Sequence, residues 1–119
     1  MNQKGYRALQ VWSKAMDLAV EANRLAALIP TRSGFSVADH LRGSAVSVPA
    51  NIAEGNGRIH RREYAHHISI ARGSLAEVET CLELAVRSGY LRDADVTQAA
   101  ALAVHVGRML NGLLATLRA

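Results

Sequence analysis

A chain of 119 residues and 12.8 kDa has room for one domain with its own core and is too short for two. Half of its residues are hydrophobic but only 4% are aromatic, so Leu, Val, Ile and Ala must fill the interior, which suits helix packing better than a sheet. The net charge of +4 comes from fourteen cations, twelve of them Arg, against ten acids, and this excess is compatible with a nucleic-acid partner without requiring one. The start, Met1-Asn2-Gln3-Lys4-Gly5-Tyr6-Arg7, leads into an amphipathic segment instead of an unbroken apolar run. Neither a secretory signal nor a membrane span is expected, and a lone cysteine, Cys81, forms no internal disulfide. A cytoplasmic, membrane-free protein is the expectation.

From Leu9 to Ile29, apolar residues fall at Val11, Ala15, Leu18, Ala22, Leu25 and Ile29, the alternating steps of four and three that mark one stripe of a helix. Trp12, Met16, Ala19 and Ala26 add a neighbouring stripe, so this helix should face two others. Pro30 ends the pattern, and Thr31-Arg32-Ser33-Gly34 reads as a short connection. A second helix is expected from about Ser36, with Val37, Leu41, Ala45, Val48 and Ile52 inward, a kink or local break at Pro49, and Gly55 and Gly57 at its close.

From Arg61 to Ser88 the seam Tyr64, Ile68, Ala71, Leu75, Val78, Leu82, Ala85 predicts a third helix ~40 Å long at the standard rise, with Gly89 as its stop. Asp93 or Asp95 should cap a fourth, whose seam is Val96, Ala99, Ala103, Val106, Leu110, Leu113 and Leu117. Four helices with short connections predict an all-α, antiparallel up-down bundle spanning residues 1–119 as a single domain.

Arg58, His60, Arg61, Arg62, His66 and Arg72 gather at the start of helix three, whereas Glu77, Glu79 and Glu83 follow along it. That order opposes the helix macrodipole, so something must compensate. Two readings stand: a solvated face with ion pairs across helices or subunits, or a phosphate-contacting patch, since outward Arg near a helix N-terminus suits a polyanion. Base-specific reading has no support, because no helix-turn-helix signature is present and exposed aromatics are scarce.

Glu63-Tyr64-Ala65-His66 has the Glu-x-x-His spacing of di-iron bundles, but the second such motif and the further inward carboxylates are missing, and no metal or cofactor is expected. Cys81 reads as a small packing or interface residue. Ser44, Ser47 and Ser74 lie in helical patterns with neither a nucleophile elbow nor a Gly-rich phosphate loop, so no catalytic residue is assigned. Glu54 and Arg58, four apart, can pair along one face beside Asn51, either fastening helix two to its neighbours or lining a groove.

The block Val46-Ser47-Val48-Pro49-Ala50-Asn51-Ile52-Ala53-Glu54-Gly55, with Gly57-Arg58, resembles the central signature of the 23S ribosomal RNA intervening-sequence proteins. Val11 to Leu18 looks like that family's opening helix, Ile70-Ala71-Arg72-Gly73-Ser74-Leu75 with Glu77 and Glu79 like its third-helix motif, and Ser88-Gly89-Tyr90-Leu91 like the turn after it. His67, Ser69 and Cys81 depart from the pattern. The resemblance implies a non-enzymatic four-helix bundle that assembles into a ring, typically a pentamer, and it links the chain to the accessory protein of diversity-generating retroelements, which binds a reverse transcriptase and nucleic acid.

The expected function is therefore a homo-oligomer that binds RNA or DNA nonspecifically through Arg42, Arg58, Arg61, Arg62, His66 and Arg72 pooled across subunits, with Asn51, Glu54, Ser74, Glu77 and Glu79 as structural or interface residues. The alternative is a protein–protein interaction scaffold or accessory subunit with no direct nucleic-acid role.

Overall fold

The computed structural model describes residues 5–119; the stretch Met1–Lys4, part of the N-terminus quoted above, lies outside the described residues. A 3-10 turn at Gly5–Ala8 precedes α1 (Gln10–Leu28), α2 (Thr31–Asn56), α3 (Arg61–Arg87) and α4 (Asp93–Arg118), with no strand among the described residues. The four helices form an all-α bundle in which α1 packs on α2 and α4, and α3 packs on α2 and α4. Its long dimension of 44 Å is close to the length of α3 alone, ~40 Å at 1.5 Å per residue.

The predicted seams supply the core. Every position named on the first α1 stripe is buried, as are Leu41, Ala45, Val48 and Ile52 of α2, Ile68 to Ala85 along the α3 seam, and Ala99, Ala103, Val106 and Leu110 of α4. Tyr64, Val37, Val96, Leu113 and Leu117 are partly buried against the rim. Leu18, Leu25, Leu41, Ile52, Ile68 and Leu110 are fully enclosed, so shortening any of them to Ala should cost about 2–5 kcal/mol. Met16, placed on the second α1 stripe, instead faces outward, because that stripe narrows to Trp12, Ala19 and Ala26.

Two boundaries, the start of α2 and the cap of α4, differ from the sequence reading, and the local break offered as one alternative at Pro49 is absent. Thr31–Gly34 is the first turn of α2, not a connection: Pro30 stands at the N-cap, where its missing N–H costs nothing, and Gly34 N–H already bonds Pro30 O at 2.8 Å. Gly34 is buried, and a Cβ there would run into Ile29 and the Tyr90 ring. Pro49 is buried within α2, and the helix continues unbroken past it to Asn56. At the start of α4 the cap is Arg92, not Asp93 or Asp95; the Asp95 carboxylate reaches back to the Arg92 backbone N–H at 2.8 Å while Asp95 N–H bonds Arg92 O at 2.9 Å.

The α3 stop is a Schellman turn. Gly89 takes φ +80°, Tyr90 N–H bonds Ala85 O at 2.9 Å, and Gly89 N–H bonds Val86 O at 3.0 Å. The Tyr90 hydroxyl then donates to Ser33 O at 2.7 Å, tying the end of α3 to the start of α2.

Candidate nucleic-acid interface

Helices α3 and α4 meet at an end rich in cations. Arg61, the first residue of α3, donates through Nε to Leu117 O at 3.0 Å and through an Nη to Thr116 O at 2.7 Å. These carbonyls end α4, where Thr116 O has only a long 3.4 Å bond from Ala119 N–H, and a guanidinium is favoured by the negative pole of that helix. A cation misplaced at the start of its own helix is thus well placed at the end of the next one, which supplies the compensation the charge order of α3 demanded.

Beside this contact runs an open cleft of about 540 Å³ lined by Arg61, Arg62, Ala65, His66, Ser69, Leu117 and Arg118. No carboxylate among the described residues lines it. Arg62 and Arg118 have no ion-pair partner among the described residues, so both guanidiniums are free to meet an anion.

The remaining predicted cations are placed differently. Arg58 bonds Glu54 at 2.6 Å and lies 3.5 Å from Glu63, so two acids neutralise its charge. Arg72 bonds Asn111 Oδ1 at 3.2 Å, bridging α3 to α4 and keeping its charge uncompensated. Arg42 is exposed on α2, which does not line the cleft. The acids lie at the far end of the same two helices, where Glu79, Glu83 and Asp93 surround an apolar hollow floored by Leu82, Val86, Val96 and Val104. The α3–α4 surface is therefore basic at one end and acidic at the other.

The signature residues form a different feature, a polar seam between α2 and α3. The Ser47 and Ser74 hydroxyls are 2.7 Å apart; Asn51 Nδ2 donates to Ser47 O and Oγ, and Asn51 Oδ1 lies 3.0 Å from His67 Nδ1. His40 meets Glu77 at 2.8 Å in the same seam. The pairs 40 with 77, 47 with 74 and 51 with 67 descend one helix as they climb the other, so α2 and α3 run in opposite directions. Close approach at the end of the seam depends on Gly55, where a Cβ would sit 2.8 Å from His67 Cβ and 3.1 Å from Tyr64 O.

Sequence reasoning missed Arg118, the Arg61 target, and the Ser47–Ser74–Asn51–His67 chain as a chain. It also missed Glu21, buried on α1 and held by two 2.8 Å bonds from Arg24, which pull its carboxyl below the usual glutamate range. Cys81 is buried, and desolvation together with the nearby Glu77 charge pushes its thiol up, away from the thiolate a nucleophile needs. No group of three or more His, Cys, Asp or Glu among the described residues is arranged to hold a metal ion.

Fold and surface together define a helical-bundle protein with an Arg-lined cleft at one end and a polar seam fastening its two middle helices. The sequence profile of the 23S rRNA-intervening sequence proteins matches residues 7–112, and the chain belongs to that family. Among solved structures it is similar to a crystal structure of a protein of unknown function from the S23 ribosomal protein family of Bacteroides thetaiotaomicron, at 22% identity and a TM-score of 0.81, covering 87% of this chain and 97% of the other. That likeness carries the fold. None of the curated proteins matches.

Proposed function

We propose that this chain is a cytoplasmic, non-enzymatic homo-oligomer that binds RNA or DNA through phosphate contacts, without reading bases. The observation that carries the reading is the cleft lined by Arg61, Arg62, His66 and Arg118 and by no acid. Of these, Arg62 and Arg118 are the free cations, while Arg61 fixes the cleft by holding the end of α4. One protomer can reach few phosphates; pooling clefts across subunits multiplies them, which is why assembly belongs to the function. The ring, typically five-fold, implied by the family resemblance is one way to pool them.

Replacing Arg62 and Arg118 together by Ala tests the reading. Binding of a labelled single-stranded RNA should weaken at low salt, and the slope of log affinity against log salt should become shallower by about 0.7 for each phosphate that is no longer neutralised. Unchanged affinity and slope in a folded double variant would remove the cleft from the function. The partner-scaffold reading has its own support in the apolar hollow rimmed by Glu79, Glu83 and Asp93, which suits a protein surface and repels a polyanion.

A further inference from the structure

The fourth helix has two faces of the same kind. Its inner stripe, Ala99, Ala103, Val106, Leu110 and Leu114, is buried in the bundle. The opposite stripe, Thr97, Ala101, Val104 and Arg108, repeats the four-three-four spacing but faces outward, with Val104 50% exposed. By length and composition α4 is apolar enough to cross a membrane, a property hidden by the absence of an unbroken apolar run, yet only 22% of its most apolar 18 residues are buried within the protomer. On α1 the stripe Met16, Val20, Asn23 and Ala27 also steps by four, three and four, lies opposite the buried face, and is exposed, Val20 to 67%.

We infer that these two faces are halves of one interface: the outer face of α1 in one copy packs on the outer face of α4 in the next. The inference rests on the self-association in the proposed function and names its surface. Charge selects the direction. With the helices antiparallel and Val20 set against Val104, Met16 meets the aliphatic stem of Arg108, Asn23 meets Ala101, and Ala27 meets Thr97. Arg108 then lies beside Asp17, and Asp93 lies at the level of Arg32. Neither Arg108, Asp93 nor Arg32 has an ion-pair partner among the described residues, and Asp17 has only an exposed contact with Lys14 at 3.9 Å. A parallel alignment with Val20 set against Val104 brings Arg108 to the level of Arg24, a like charge. A bilayer is the poorer occupant, because Arg108 stands within the outer face and would have to be buried in hydrocarbon.

Such a contact joins unlike faces, so it is heterologous and propagates until it closes into a ring. Its signature is complementation. Val20→Glu disables the α1 face and Ala101→Glu disables the α4 face, both at exposed positions where the protomer fold is untouched. Light scattering should find the unmodified protein at three or more subunits, each variant monomeric with full helicity by circular dichroism, and an equimolar mixture at two subunits and no more, since one good α1 face meets one good α4 face.

An unmodified protein that is monomeric, a single variant that keeps the parent mass, or a mixture that stays monomeric would overturn the inference. So would flotation of the unmodified protein with neutral phosphatidylcholine vesicles. Parent mass kept by both variants would overturn this surface while leaving oligomerisation intact, and RNA affinity measured on the same samples reports on the cleft separately.

Discussion

Adding one carbon to two glycines of the same helix should move stability in opposite directions. Within a helix, Gly→Ala ordinarily gains about 0.8–1 kcal/mol by removing backbone freedom from the unfolded chain. Gly43, in mid-α2, has nothing within 4 Å of a built Cβ, so Gly43→Ala should gain that amount. At Gly55 the same methyl would sit 2.8 Å from His67 Cβ, 3.1 Å from the Tyr64 ring and 3.1 Å from Tyr64 O, and neither a Cβ nor a carbonyl can rotate away. Pushing α3 off α2 carries an overpacking cost of about 1–3 kcal/mol. It also stretches the adjacent Asn51–His67 bond, so the net for Gly55→Ala is a loss of up to about 2 kcal/mol despite the propensity gain. Urea unfolding followed by circular dichroism reads both variants on one scale, and the thermal midpoints should separate by several degrees, Gly43→Ala above the parent and Gly55→Ala below it. If Gly55→Ala is as stabilising as Gly43→Ala, the close α2–α3 approach is wrong.

Other consequences are separable. Glu21 is held ionised by Arg24, so its folded pKa lies below its unfolded value; its stabilisation is complete above the ordinary glutamate range near ~4.3 and is lost as pH falls through the lower folded value. Urea unfolding from pH 7 to pH 3 should show an acid-side loss of stability that Glu21→Gln reduces, and identical pH profiles would exclude the Glu21–Arg24 pair as a contributor. Asn51→Ala and His67→Ala should each destabilise by about 1–3 kcal/mol, with a coupling of at least about 0.5 kcal/mol in the double variant through the 3.0 Å bond; strict additivity would contradict it. Cys81 should react with a thiol reagent at the rate of unfolding, many-fold slower than in urea, whereas immediate reaction of the native protein would mean the thiol is accessible.

The core was legible because helical faces are a property of spacing. The seam from Tyr64 to Ala85 needed only its four-three steps to identify what is buried, and the same holds for Val11 to Ile29. What spacing lacks is the register between helices, and each feature that escaped the sequence depends on it. Ser47 and Ser74 read as unremarkable helical serines until α2 and α3 are aligned to bring them within 2.7 Å. Arg61 read as a surface cation because its partners are backbone carbonyls 55 and 56 residues away, which carry no residue identity. Arg118 joined the cleft for the same reason. The start of α2 was missed because Thr31–Gly34 is turn-like in composition, whereas Pro30 at the cap and the packing of Tyr90 on Gly34 hold it helical. The α4 outer face was passed over because Thr97 and Ala101 are individually bland; only their position opposite a buried stripe makes them a surface awaiting cover.

Size exclusion with light scattering, run with and without a short RNA at about 50 and 200 mM salt, tests the central claim most directly. An oligomer that gains mass with RNA at low salt and releases it at high salt, with the gain abolished on replacing Arg62 and Arg118, is the predicted result. An oligomer whose mass ignores RNA at both salts would contradict phosphate binding by the α3–α4 cleft.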